Sequence, residues 1–542
     1  VNKTSAKRII AELQTNKKNF KTGWEDISTY VAPTRGIFNE KKMDEKKEIN
    51  HKVLLNDACK TGIDTLSAGM LAGLTSPSRE WFKLKVSGNN DIQAERWANS
   101  IKNLMEYIFQ KSNLYNTLNN IYQETAVFGT GCFAIEHDFD NVISCTQFTI
   151  NEYAIAYDSK GFPNIFGREF FMSALQLVED FGYNNCSDAV KREYDEERYS
   201  TQFKVYHLIC PNKNIDKTRR DNKNFIYSSV YWQPDGNKFL RESGYNYFPV
   251  IAPRWGTNTS SDTYGTGIGD TVLGDSKMLQ KLESAKLIAI EKTVKPPMMA
   301  SSSIQGKVNT KPDGITRFNG LTDKAVYPVY KIELNLPAIK DEISKTEQRI
   351  LSHFYYDVFL MLNSQDYSRM TATEVAERHQ EKLMVLGPVL QRLNSELLDK
   401  IIEITFHIML DNGLIPEPPQ SIQGKELKVE YVSAIAQAQK AQGLSVLNQG
   451  IAFIGQLATP FPEVIDVINP DKTALAGLKM IGFDADSIRS DSERAELRQM
   501  KAEKQAENER LMREQIAIEQ AKKLSETKLN QGSALDAVQG GR

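Results

Sequence analysis

Apolar residues recur at three- and four-residue steps through the first third of the chain; Trp97, Ile101, Leu104 and Ile108 are one such run. That spacing predicts helices near 3–32, 50–74, 91–112 and 114–128, with Pro33 and Pro77 as stop signals after two of them. From Gly131 the period shortens. Cys132–Glu136, Val142–Phe148, Gln202–Cys210, Asn224–Trp232 and Phe248–Pro253 read as strands with turn punctuation such as Pro234-Asp235-Gly236. Helix near 173–195 interrupts them, so an α+β body is expected over most of residues 1–270.

The middle of the chain is patterned differently. Gly265, Gly267 and Gly269 read as a flexible lead into Asp270 and a helix of about 25 residues, stopped by Pro296-Pro297. A loop-rich stretch, 296–336, precedes a second long helix from about Leu336 to Leu362. The polar loop Asn363-Ser-Gln-Asp-Tyr-Ser-Arg-Met370 follows. Thr371 and Glu374 then form a T-x-x-E capping box, which starts a third helix sharply. Its one-sided stripe is Leu383, Leu386, Leu390, Leu393, Leu397, Ile401, Ile404 and Ile408; Asn412-Gly413 caps it and Pro416 blocks continuation. Roughly 40 residues would span about 60 Å, with a kink expected at Gly387-Pro388. Short strand and helix signals occupy 425–485. From Ser487 to Thr527 the chain is charged, strongly helix-forming and poor in apolar residues, so this helix is expected to need partners. The end, Gln539-Gly540-Gly541-Arg542, is expected to fray.

Charge changes the picture most. Across 542 residues, 67 Lys+Arg stand against 69 Asp+Glu, a formal net charge of −2. Tight binding to nucleic acid depends on displacing counterions with a basic surface, so this composition excludes a dedicated DNA binder. No apolar run approaches the roughly 18 residues of a membrane span, and Glu403 and His407 break the best candidate, Ile401 to Leu410. Lys3, Lys7 and Arg8 have no apolar region behind them, so no secretory signal is read there. Cys59, Cys132, Cys145, Cys186 and Cys210 are odd in number and never spaced C-x-x-C, a pattern expected of reduced thiols assembled in a cytosol.

Candidate chemistry is sparse. Gly306-Lys307 and Gly424-Lys425 lack the upstream glycine and following hydroxyl of a phosphate loop, and the Gly265/Gly267/Gly269 run lacks the spacing of a dinucleotide fingerprint. Glu136, Asp138 and Asp140 would share one face of a strand; as a set they suit Mg²⁺ or Ca²⁺, or simply a solvated strand end. The six histidines have no zinc spacing, and no nucleophile elbow occurs. No catalytic residue, cofactor or metal is expected. The loop 363–370 carries one cation, one anion, hydroxyls and an amide. By itself it reads as a solvated connection; repeated around a ring it becomes a collar.

Four blocks in register carry a resemblance. Leu66-Ser-Ala-Gly-Met-Leu-Ala-Gly-Leu-Thr-Ser-Pro-Ser-Arg-Glu-Trp-Phe-Lys-Leu84 resembles the N-terminal signature of the head-to-tail connector (portal) proteins of short-tailed bacteriophages. Ala126-Val-Phe-Gly-Thr-Gly131 resembles the next block. Pro253-Arg-Trp255 with Tyr264-Gly-Thr-Gly267 and Leu273-Gly-Asp275 resembles the segment entering the first stem helix. Met370-Thr-Ala-Thr-Glu-Val375 with Leu386-Gly-Pro-Val389 resembles the segment after the tunnel loop.

The resemblance implies a portal-type fold, mostly helical α+β, and a ring oligomer, typically of twelve subunits, at one vertex of the virion head. Double-stranded DNA would pass through it during packaging and ejection. The implied partners are the terminase large subunit, the major capsid protein and tail adaptor proteins; no membrane is implied, and assembly is placed in the host cytoplasm. By position, 1–270 is the wing, 271–295 and 337–362 are stem helices, 296–336 is the clip and 363–370 the tunnel loop. Residues 371–485 are a long kinked helix that completes the wing, and 486–542 a helical crown or barrel. Ser364, Gln365, Asp366, Tyr367 and Arg369 are the expected DNA-facing residues, Tyr367 against the DNA backbone or a neighbouring loop. Near-neutral charge fits a conduit, because phosphate contacts multiplied around a ring would hold the cargo. The alternatives are a helical scaffolding or minor virion protein that never touches DNA, and a metal-dependent nuclease built on Glu136, Asp138 and Asp140.

Overall fold

The computed structural model describes residues 2–38, 54–86, 92–213, 215, 224–236, 238–259, 262–300, 308–309, 326–328, 336–361, 386–419, 427–431, 447, 449–458, 460–481, 491–526, 528–529 and 532–533. These fall into two compact units: residues 1–87, 97–418 and 423–439 form one, and 88–96, 419–422 and 440–542 the other.

In the first unit, α1 (Lys3–Tyr30) starts where the Asn2 side chain accepts a hydrogen bond from the Ser5 amide at 2.8 Å. It is followed by α2 (Ala58–Leu74), β1 (Phe82–Val86), α3 (Ile92–Lys111), of which residues 97–111 belong to this unit, and α4 (Leu114–Phe128). All four predicted helices are present, three with ends close to those expected, while α2 starts at Ala58 rather than near residue 50. Then come β2 (Cys132–Asp138), β3 (Val142–Phe148), β4 (Tyr153–Tyr157), β5 (Pro163–Ser173), α5 (Ala174–Phe181), α6 (Asp188–Asp195), β6 (Gln202–Pro211), β7 (Tyr227–Trp232), β8 (Phe239–Tyr245) and β9 (Val250–Ile251). The last expected strand thus shrinks to two residues. Strands β4 to β8 form an antiparallel five-stranded sheet in sequence order, while β3, β2 and β9 form a second, three-stranded one.

The larger sheet is covered on both faces. Ala6 and Ile10 of α1 pack against Leu208, Cys210, Val230 and Trp232. On the other face Leu177, Phe181 and Val190 of α5 and α6 pack against Val205 and Leu240. Strand alternation sorts the residues: 208, 210, 230 and 232 face one way, while 205 and the half-buried Phe203 and Tyr231 face the other. All five cysteines are buried and unpaired.

The remaining elements of this unit are α7 (Ile268–Val294), β10 (Met298–Ala300), β11 (Val326–Pro328), α8 (Leu336–His353), α9 (Tyr356–Met361), α10 (Gly387–Leu393), a π-turn (Asn394–Leu398), α11 (Asp399–Asp411) and β12 (Leu427–Tyr431). β12 pairs antiparallel with β1, and β10 with β11.

Three expectations change here. The helix read as continuous from Leu336 to Leu362 is broken at Phe354 and Tyr355, where Tyr355 takes a left-handed φ of 55°. The break lets Phe354 reach α2 at Gly62. Gly267 and Gly269 provide closeness rather than flexibility: a Cβ on either would lie 2.5 and 2.3 Å from the Val127 carbonyl oxygen. Backbone therefore meets backbone where α4 ends and α7 begins. Pro388 sits in the first turn of α10, where its missing N–H costs little; the described irregularity is the π-turn six residues later. The predicted C-terminus of α11 is a Schellman cap. Gly413 has φ 67°, the Leu414 amide donates to Met409 O at 2.9 Å and the Gly413 amide to Leu410 O at 3.0 Å. Residues 371–385, including Thr371, Glu374 and Leu383, lie outside the described residues.

In the second unit, α12 (Pro470–Ile481) is joined to α13 (Asp491–Glu526) by a bidentate ion pair, with Arg498 Nη1 and Nη2 at 2.7 and 2.5 Å from the Asp471 carboxylate. β13 (Lys528–Leu529) and β14 (Gly532–Ser533) form a small hairpin. Met500, Leu511, Met512, Ile516 and Ile518 of α13 are exposed, as expected of a helix without a covering partner.

Candidate functional site

The loop carrying Ser364, Gln365, Asp366, Tyr367 and Arg369 lies outside the described residues. Its two flanks do not. A cleft of about 400 Å³ is lined by His353 and Tyr355 before the loop and by Pro388 and Arg392 after it, against Trp255 and Gly267. The C-terminal end of α8 and the first turn of α10 thus meet beside the first turn of α7. There the Asp270 carboxylate accepts the Gly267 amide at 2.8 Å.

The far side of this junction is clamped by charge. Glu396, presented by the π-turn, accepts the Arg254 backbone amide at 2.9 Å and its guanidinium at 2.7 and 3.2 Å. Arg254 is 5% exposed; it also donates to the carbonyls of Asp262 at 2.7 Å and Gly161 at 3.2 Å, and lies 4.4 Å from the Tyr157 ring. Arg392 donates to the neighbouring Trp255 carbonyl at 2.8 Å. Two residues of the segment after the loop thus hold the Pro253-Arg254-Trp255 block. The sequence pointed to that block but not to Glu396, which is one of several polar residues between the apolar positions of its helix.

The pair α7 and α8 is held by polar contacts. Asp275, early in α7, pairs with Arg349, late in α8, at 3.1 Å, so the two run antiparallel. Gln280 accepts the amides of Leu55 and Asn56 at 2.6 and 3.0 Å, and Asn56 donates to Glu347 at 2.6 Å and Glu283 at 3.3 Å. Beyond this seam α7 is open: Leu287, Ile288 and Ile290 are exposed, Val294 is 70% exposed, and Met298 and Met299 continue the apolar surface.

The carboxylate alternative resolves differently. Tyr245 donates to Glu136 at 2.6 Å, and the Asn141 amide and side chain donate to Asp138 at 3.2 and 3.0 Å, while Lys111 holds the Asp140 carbonyl. Among the described residues no group of three or more His, Cys, Asp and Glu side chains is arranged to hold a metal. No described helix is long and apolar enough to cross a membrane.

A sheet covered on both faces, an antiparallel helix pair with a bare apolar end and a long exposed terminal helix define an α+β assembly subunit. The chain belongs to the bacteriophage head to tail connecting protein family, whose profile matches residues 3–488. It is 35% identical over 503 residues to the probable portal protein of Bordetella phage BPP-1, covering 91% of this chain and 90% of that one. To the portal protein of Salmonella phage epsilon15 it is 34% identical over 537 residues, 98% and 96% of the two chains. Among solved structures it is similar to a chain of the neck of an empty gene transfer agent particle, with TM-score 0.40, 10% identity and coverage of 83% and 97%. A chain of the native gene transfer agent virion gives TM-score 0.37, 10% identity and coverage of 84% and 98%. The function is therefore that of a portal, or head-to-tail connector, and the scaffolding and nuclease alternatives give way to it.

Proposed function

We propose that copies of this chain close into a ring, of twelve subunits by the family resemblance, at one vertex of the virion head, and that double-stranded DNA passes through the ring in packaging and ejection. The observation that carries this reading is the bare apolar end of the stem. Leu287, Ile288, Ile290 and Val294 on α7, with Met298 and Met299, form a surface that a lone subunit would leave in water. A ring of copies covers it, since head-to-tail contacts close when their rotation closes. The formal charge of −2 supports passage without capture.

In this reading 1–270 is the wing, 271–295 and 337–362 the stem, 296–336 the clip, 371–485 the kinked helix completing the wing, and 486–542 the crown or barrel. Ser364, Gln365, Asp366, Tyr367 and Arg369 face the DNA. The meeting of the end of α8 with the start of α10 at one cleft supports anchorage of the loop segment beside the first turn of α7. The clip meets the terminase large subunit and later the tail adaptors, and the wing meets the major capsid protein. Averaged images of the purified full chain test the ring. A closed particle with a central hole and a mass of about 740 kDa, twelve copies of a 61.3 kDa chain, is expected. A particle without a hole counts against it.

A further inference from the structure

The two covers of the five-stranded sheet carry opposite charge. Residues 3–21 of α1 hold six cations, Lys3, Lys7, Arg8, Lys17, Lys18 and Lys21, against the single carboxylate Glu12. Residues 174–201, the module of α5 and α6 on the opposite face, hold seven carboxylates against three cations. Glu179, Asp180, Glu196 and Glu197 are exposed there, as are Lys7, Arg8 and Lys18 on α1. Each face also presents exposed aromatic surface: Phe20 on the basic side, Tyr183 and Tyr199 on the acidic side.

We infer that the basic face of α1 docks on the acidic α5–α6 face of the next copy around the ring. A head-to-tail contact uses two different patches of one chain, and a domain with opposite charges on opposite faces supplies such a pair. Like faces repel, which excludes the two-fold dimer that would compete with ring closure. The aromatic side chains give the contact apolar anchors within a charged surround. This inference rests on the ring reading and names the surfaces that build it.

Charge reversal in the full chain tests it. One variant carries Lys18→Glu with Lys21→Glu, the other Glu179→Lys with Asp180→Lys; circular dichroism checks that both fold. Mass photometry at low salt should show each variant alone needing about tenfold or more protein to assemble. Mixing the two in equal amounts should restore assembly, because the reversed positions on α1 of the first then meet the reversed positions on α5 of the second. Variants that form closed particles as readily as wild type, or a mixture no better than either variant, would overturn the pairing while leaving the ring. Open filaments abolished by the same reversals would keep the pairing and remove the ring. A wild-type chain that stays at 61.3 kDa overturns both.

Discussion

Phe359 of α9 fills the notch left by Gly69 of α2: a Cβ on Gly69 would lie 2.1 Å from Phe359 Cδ1. Seven residues earlier on α2, Gly62 receives Phe354 in the same way, at 2.7 Å. Both phenylalanines are buried, and between them Tyr355 takes the left-handed turn that separates α8 from α9. Gly62 and Gly69 are therefore seats for aromatic rings some 290 positions away.

Gly69→Ala should destabilise the chain by about 1–3 kcal/mol through overpacking, since Phe359 cannot withdraw without losing its burial. Phe359→Ala costs about 3–5 kcal/mol alone, yet the double variant should lose less than the sum. Denaturant unfolding of the four proteins gives the coupling; strict additivity would mean that the ring does not occupy the notch.

Glu396→Ala strands the Arg254 guanidinium in the interior with its positive charge uncompensated. The expected loss is about 3–5 kcal/mol, most of it the cost of the unpaired charge. Replacing both residues by apolar ones of similar volume, Arg254→Met with Glu396→Leu, should recover much of it. A loss under about 1 kcal/mol for Glu396→Ala in urea unfolding would contradict the clamp.

Acid should weaken the five-stranded sheet through His207. Its ring is 3% exposed, stacks 3.8 Å from Tyr231 and shares a 3.0 Å hydrogen bond with Ser229. Burial, helped by the cations of Arg168 and Arg241, holds its pKa well below the ordinary histidine value. The unfolded chain then takes up a proton below pH about 6.5 that the folded chain refuses. Stability is thus full above that pH and falls as pH drops, by up to about 1.4 kcal/mol per unit. His207→Phe should flatten the decline between pH 7 and 5; an unchanged slope would assign the acid sensitivity elsewhere.

Asp366→Lys with Ser368→Lys should leave assembly intact and slow DNA passage, because added cations repeated around the channel hold phosphate. Packaged DNA per particle and ejection rate measure it. Normal values for both would remove residues 363–370 from the channel wall.

The first four helices and the Gly413 cap were legible because their signals are local: a 3.6-residue period and a left-handed glycine involve neighbours within a turn. β5 was missed for the opposite reason. With α1 on one face and α5–α6 on the other, Ile165, Phe166, Phe170 and Met172 are all apolar, and the alternation that marks a half-solvated strand is absent. β8 was missed because its Arg241-Glu242-Ser243 run is the polar edge of the sheet.

The candidate loop was legible only as composition, through the balance of Asp366 and Arg369. What brackets it was not. Glu396 reads as an ordinary polar residue between Leu393 and Leu397 of the apolar stripe until Arg254, 142 positions earlier, is brought against it. Family membership, helix positions and caps follow from residues close in sequence, whose backbone preferences act within a few bonds. The glycine notches, the buried ion pair and the opposed charges of the sheet's two covers were decided only by the tertiary structure. Those features depend on distances between distant segments, which chain folding sets and local propensity does not encode.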